Sequence, residues 1–395
     1  MDDATSAAAV PRGQFVDFVL SEGLLAIQAR AREIAREVVA PNAVRYDEEA
    51  CYPKEAVDAL AEAGFMAMLI PPEYGGRGLG NLALCVTLLE INRVCASAGV
   101  VCSVHNSLAT YPIIHHAAEA VKRKYLPKLA AAEMIGAYAL TEPEAGSDAA
   151  NQRTTAVRDG DHFVLHGSKI FITTGKEADL FVVFARTSKE DKPAKGISCF
   201  VVEADTPGLT VGKSEVKLGI RGSSTTEIHL EDCCVPAGHL LGELGRGFNI
   251  AMEVLNGGRI GIACQATGIL GGLIDEVNAF SSNHKRQGKP LSYHQDVAWK
   301  LSEMVTDYDA ACLLVYRAAC ARERTPNPLR ECSTAKLFAS QAANRHARVA
   351  VSLLGREGLK RGHRVERFYR DARITEIYEG TTEVQKIVIA RTLEA

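Results

Sequence analysis

Three regimes of hydrophobic spacing follow one another along this chain. From residue 22 the apolar positions fall three and four apart, and "EGLLAIQARAREIAREVVA" (22 to 40), rich in Ala, Arg and Glu, predicts a helix that stops at Pro41. "PKEAVDALAEAG" opens on Pro53 and closes on Gly64, the order expected when proline starts a helix and glycine ends it. "LALCVTLLEINRVCA" and "AEAVKRKYLPKLAAA" extend the helical period to about residue 133.

The pattern then shortens. "HFVLHGSKIFIT", "LFVVFART", "ISCFVVEA" and "TEIHLEDC" are short runs rich in Val, Ile, Phe and Thr between turn residues, which predicts strands. "RDGDHF" carries an Asp-Gly hairpin signal. No helical pattern alternates with these runs, so the segment reads as a β-barrel or sandwich. From "GFNIAMEVL" onward the chain is helical again, broken at "RQGKP" (286 to 290) and "RTPNPLR" (324 to 330), which suggests a bundle. The predicted class is α+β in three parts: a helical domain over 1–134, a β domain over 135–243 and a C-terminal helical bundle over 244–395.

Composition narrows the function by exclusion. The 395 residues are 47% apolar and 24% charged with a net charge of −3, which gives no electrostatic reason to expect nucleic acid or a membrane surface as partner. The 11 cysteines lack a C-x-x-C pair and sit in apolar runs such as "LALCVTLL". They read as small buried hydrophobes in a reducing compartment, not as disulfides or metal ligands. The opening "MDDATSAAAVPRG" lacks the basic and apolar regions of a leader, and no apolar run reaches the ~18 residues of a membrane span. The expected location is cytoplasmic.

Several motifs fail on inspection. In "YGGRGLGN" (74 to 81) the series Gly76-x-Gly78 ends on Asn81, and the segment before it reads as helix, so it is not a dinucleotide fingerprint. No Walker A sequence, H-E-x-x-H or G-x-S-x-G is present. His115 and His116 are neighbours, about 100° apart on a helix, and read as packing residues.

Three stretches remain. "YALTEPEAGSDAA" (138 to 150) leaves a strand for a turn dense in hydroxyls, which is either an ordinary strand exit or a cradle for a polar ligand. "KIFITTG" (169 to 175) is a strand ending in two threonines. In "RITEIYEGTTEVQKIVIAR" Glu379 stands ahead of a helix for which Thr382 and Gln385 fit a capping box, with Val384, Ile387 and Val388 on one face. Taken alone, Glu379 is either a charge complementing the helix dipole or a site carboxylate.

Taken together, "TEPEAGSD", "GIRGSSTTEIHLEDCCVP", "GGRIGIACQATGI" and "RDARITEIYEGTTEVQKIVIAR" resemble the acyl-CoA dehydrogenase family, in that family's order and over nearly the whole chain past residue 20. The resemblance implies an acyl-CoA dehydrogenase-like fold with a four-helix bundle at its end, usually assembled as a homotetramer. It also implies FAD as cofactor, an acyl-CoA substrate, an electron-transferring flavoprotein as acceptor and no metal. Glu379 would be the catalytic base that removes the proton alpha to the thioester, with its backbone N–H and a flavin ribityl hydroxyl stabilising the enolate oxygen. Burial by Ile377 and Tyr378 would make it a stronger base. Leu140, Thr141, Gly146, Ser147, Phe171, Ile172, Thr173, Thr381 and Glu383 would hold the flavin, and Ser147, Asn256, Arg259, Tyr378 and Gly380 the substrate. Some branches carry the base one residue before the arginine, where this chain has Gly258. "GVVCSVHNSLATYPI" (99 to 113) resembles the short-chain branch, which implies an acyl group of about four carbons, with branched or cyclic groups open since one pocket residue shifts such a choice by only ~1–3 kcal/mol.

The chain also departs from the family. Phe171 replaces a frequent tryptophan and Asn256 a commoner aspartate. His284 and Gln287 replace an arginine and a phenylalanine that clamp a neighbouring subunit's FAD pyrophosphate, and Ser352 and "GREG" (355 to 358) replace a glutamine and paired glycines. Arg356 could restore the lost charge. A scaffold that has lost flavin, a dehydrogenase of carrier-protein-bound acyl groups and an oxidase are the competing readings.

Overall fold

The computed structural model describes residues 20–325 and 327–393. Helices α1 (Glu22–Ile34), α2 (Ala40–Glu48), α3 (Lys54–Glu62), α4 (Gly80–Asn92), α5 (Ala96–Val104), α6 (Tyr111–His116) and α7 (Glu119–Ala130) come first. The first helix does not stop at Pro41. Residues Ala35–Val39 are π-helical and the helix resumes as α2 with the proline in its first turn. Proline lacks an N–H and clashes with the carbonyl four residues back, and a widened turn relieves both constraints. The segment before the glycine cluster is two short 3₁₀ turns, Phe65–Ala67 and Pro72–Tyr74, not an α-helix.

Strands β1 (Gly136–Ala139), β2 (Thr155–Asp159), β3 (His162–Thr173), β4 (Leu180–Arg186), β5 (Ile197–Glu203), β6 (Leu209–Ser214), β7 (Thr225–Pro236) and β8 (Leu240–Leu241) form one sheet, ordered β6-β7-β3-β2-β4-β5-β8 with β1 parallel to β4. Gly160 and Asp161 make the predicted β2–β3 hairpin turn, Gly160 at φ +60°. The continuous apolar run of β4 has a cause: Phe181 and Val183 point into the sheet's own core, while Leu180, Val182 and Phe184 pack against helical residues such as Ile250 and Val254. A strand covered on both faces has no reason to alternate.

The last part is built from α8 (Gly247–Asn283), α9 (Gln295–Arg324), α10 (Leu329–Leu354), α11 (Arg364–Ala372) and α12 (Thr382–Arg391). The break at "RQGKP" is a small hairpin, Lys285–Arg286 against Lys289–Pro290. By length and composition alone α8 could cross a membrane, yet 83% of its most apolar window is buried inside the protein. It is the central core helix. Its glycines let neighbours approach the backbone: a Cβ on Gly261 would overlap Ser103 Oγ of α5.

One guanidinium ties the three parts together. Arg370 on α11 bonds both carboxylate oxygens of Asp47 at 2.8 and 2.5 Å and also the Leu218 carbonyl of the β domain at 3.0 Å. All of the cysteines are free, and most are buried.

Candidate active site

Glu379 lies in the irregular segment between α11 and α12. Both it and Gly380 adopt left-handed backbone, at φ +56° and +90°. Positive φ is costly for a residue with a Cβ, and such strain concentrates at functional sites. Its Oε2 is buried and accepts no hydrogen bond. Burial raises the carboxyl pKa to about 7, against the opposing pull of Arg259 and Lys336.

The burial does not come from Ile377, which is 47% exposed. Tyr378 contributes: its hydroxyl bonds Gln265 Oε1, and Gln265 in turn bonds the Ala96 carbonyl at 3.1 Å, which anchors the ring over α8. The rest comes from Gly258, where a Cβ would overlap Glu379 Oε2 and crowd Leu108. Leu108 belongs to the π-helical turn His105–Thr110, which lies inside the stretch that resembles the short-chain branch. The arginine beside it, Arg259, is buried and donates to Asn256 Oδ1 at 3.1 Å and Ser333 Oγ at 3.4 Å. Asn256 continues the chain to Asn327 Oδ1 at 2.6 Å.

The capping box is displaced by one residue. Thr381, not Thr382, caps α12 by accepting from the Val384 N–H at 3.3 Å. Gln385 reaches back to the carbonyls of Glu379 and Gly380, at 3.0 and 2.9 Å, instead of to a cap N–H. The left-handed turn at Gly380 places those two carbonyls within its reach. Gln385 is the one buried residue of α12, and the expected apolar face is open, with Ile387 50% exposed. Glu383 lies exposed in the first turn.

The two candidate flavin stretches meet. Ile170 N–H donates to the Thr141 carbonyl at 2.9 Å, and Lys169 Nζ donates to the Leu140 carbonyl at 3.2 Å. Fully buried Lys169 is held by Glu142 Oε1 at 2.7 Å and Gln152 Oε1 at 2.6 Å. A bulge in the β3–β7 ladder follows, where Phe171 stands at φ +57° and is 61% exposed. Ile172 is buried and Thr173 half-buried, while Gly146 and Ser147 lie on the exposed rim of the turn. His116 faces Glu253 at 3.3 Å and His115 packs on the ring of Tyr111.

The flavin-clamp positions stand apart from this group. His284 follows α8, about 36 Å along the helix from Arg259, and is exposed with its Nδ1 on the Phe280 carbonyl. Gln287 sits in the hairpin at φ +52°. Arg356 is exposed beyond α10 and pairs with Glu357 at 3.6 Å. One chain cannot fold these residues onto Glu379. Sequence reading missed Lys336, Gln265, Gln385's backward reach and the half-buried Tyr138, whose buried hydroxyl has no hydrogen-bond partner among the described residues. Buried polar residues within helices and strands leave no local signal.

Comparison with known proteins agrees with this arrangement. Family profiles match in chain order: Acyl-CoA dehydrogenase, N-terminal domain, over residues 21–133; middle domain over 137–233; C-terminal domain over 245–394. A short-chain specific acyl-CoA dehydrogenase of Clostridium acetobutylicum is 44% identical over 375 residues, covering 95% of this chain and 99% of that relative. The butyryl-CoA dehydrogenase of Megasphaera elsdenii superposes with a TM-score of 0.93 at 38% identity, covering 96% of this chain and 100% of the other. A chain described with the electron transferring flavoprotein of Acidaminococcus fermentans gives a TM-score of 0.93 at 41% identity, covering 96% and 99%. With the profiles spanning its three parts in order, the chain belongs to the acyl-CoA dehydrogenase family and is an oxidoreductase of that family.

Proposed function

We propose that this protein desaturates short-chain acyl-CoA thioesters between Cα and Cβ, with FAD as cofactor and an electron-transferring flavoprotein as acceptor. The observation that carries the reading is the buried, unpartnered Oε2 of Glu379, held in strained backbone just before the N-terminus of α12. A carboxylate whose pKa is raised to about 7 is matched to taking a weakly acidic proton near neutral pH.

The chain's own residues would divide the work as follows. Glu379 takes the α-proton on its carboxylate. Its backbone N–H donates to the thioester oxygen, where charge develops. Tyr378, Leu108 and the bare face of Gly258 keep water from the carboxylate, and Arg259, Asn256 and Ser147 hold the thioester arm. Bound FAD supplies the acceptor for the hydride that leaves Cβ, since no protein side chain can take it. Leu140, Thr141, Gly146, Ser147, Phe171, Ile172, Thr173, Thr381 and Glu383 would hold it. The fit is supported by the exposed Phe171 beside the 138–150 turn, by the open space around Gly146 and by the capped N-terminus of α12. The short acyl group is supported by the 44% identity to a short-chain specific relative and by Leu108 closing on Gly258.

The test is an anaerobic visible spectrum before and after butyryl-CoA. A flavin band that bleaches supports the proposal, and re-oxidation by an electron-transferring flavoprotein completes it. A colourless protein that FAD does not reconstitute would overturn it in favour of a scaffold. Turnover confined to carrier-protein thioesters, or sustained by oxygen alone, would replace the substrate or the acceptor.

A further inference from the structure

Three polar side chains stand four residues apart on one face of α10, and each donates to a carbonyl of the segment that carries Glu379. Asn344 Nδ2 bonds the Ala372 carbonyl at 2.8 Å, Ser340 Oγ the Thr375 carbonyl at 2.8 Å and Lys336 Nζ the Gly380 carbonyl at 2.7 Å. The spacing matches the helical repeat, so α10 presents a row of donors along residues 372–380, a stretch without α-helical or sheet bonds for all of its carbonyls. Gln385 closes the row from the other side, on the carbonyls of Glu379 and Gly380.

Lys336 differs from the other rungs. An amide or a hydroxyl would satisfy the Gly380 carbonyl at lower cost, yet the position holds a fully buried ammonium without a direct ion pair among the described residues. We infer that Lys336 is a positioning residue for the reaction proposed above: its bond to Gly380 fixes the left-handed turn that aims Glu379, and its charge joins that of Arg259 in favouring the ionised carboxylate. The inference rests on the assignment of Glu379 as the base. Glu379 is faced by Arg259 from α8, Lys336 from α10, Tyr138 from β1 and the adjacent Tyr378. Both tyrosines have pKa values raised by burial and stay neutral, which leaves the two cations to oppose the desolvation of the carboxylate. Burial lowers the pKa of Lys336 to about 8, opposed by the charges of Glu379, Glu376 and Glu383 and assisted by that of Arg259.

The experiment compares pH profiles of kcat/KM for wild type, Lys336→Gln, Lys336→Arg and Glu379→Gln, each with its flavin bound. Losing a cation from the surroundings of Glu379 raises the carboxylate pKa, so the ascending limb of Lys336→Gln moves up by about one pH unit, as removal of a neighbouring charge requires. Lys336→Arg keeps the charge and leaves the limb in place, with kcat lowered by the changed geometry and KM little altered. An unmoved limb in Lys336→Gln, or an equal displacement in Lys336→Arg, would overturn the inference while leaving the function intact. Substantial turnover by Glu379→Gln would instead sink the function itself. If Lys336→Gln does not fold, Lys336→Met carries the same expectation for the limb, and failure of both with a normal Lys336→Arg profile at every pH would reduce the residue to a structural one.

Discussion

Gly258 and Glu379 share one space: a Cβ on the glycine would overlap the Oε2 of the glutamate. This contact turns an elimination made on the sequence into a steric statement. A carboxylate can stand at residue 379 in this geometry because residue 258 has no side chain.

Gly258→Ala should therefore push the Glu379 carboxylate aside. A displacement of about 1 Å in a reacting group can cost ~10²-fold. The expected result is a drop of that order in kcat with flavin content unchanged, measured by steady-state kinetics and the visible spectrum. Wild-type kcat would count against the geometry.

Glu379→Gln should keep the yellow flavin and lose ~10²–10⁴-fold in turnover, the range for a lost general base. The same variant carries a stability signature. With its folded pKa raised to about 7, Glu379 binds a proton in the folded state where the unfolded chain does not, so stability falls as pH rises from the ordinary carboxyl range through about 7. Glu379→Gln should melt higher than wild type at pH 8, and the difference should vanish toward pH 4. Thermal melts across that range decide the sign.

Lys169 and Glu142 form a buried pair that also holds the Leu140 carbonyl, so they join the two stretches proposed to hold the flavin. Lys169→Met leaves the Glu142 carboxylate buried without its partner, which costs about 3–5 kcal/mol. Its measure is denaturant unfolding, accompanied by a weaker FAD affinity in reconstitution titrations. Unchanged FAD affinity in a folded variant would show that the brace does not shape the flavin site.

Arg356 is exposed, and its one ion pair among the described residues is with the half-buried Glu357 at 3.6 Å, which leaves it able to turn toward a phosphate. If it replaces the charge missing at His284, Arg356→Ala should weaken FAD binding by ~10–100-fold, the value of one charge-assisted hydrogen bond. Unchanged affinity would rule that compensation out.

The sequence by itself determined the local choices. Period and turn residues separated helix from strand, and the Asp-Gly turn, the break at "RQGKP" and the helix after Glu379 all follow from short-range backbone preferences. Those same preferences misjudged Pro41, because a π turn supplied by the surrounding packing absorbed its missing donor. They also placed the cap on Thr382 when the turn at Gly380 moved it to Thr381. Resemblance named Glu379 as the base, but only the tertiary structure decided what buries it. Gly258 and Leu108 are some 120 and 270 residues away along the chain, and Lys336 reaches Gly380 across 44. Burial, and with it the pKa of a carboxylate, is set by such distant neighbours. A residue whose role is to occupy no space, as at Gly258, or to catch a carbonyl from another helix, as at Lys336, carries no mark in its own segment.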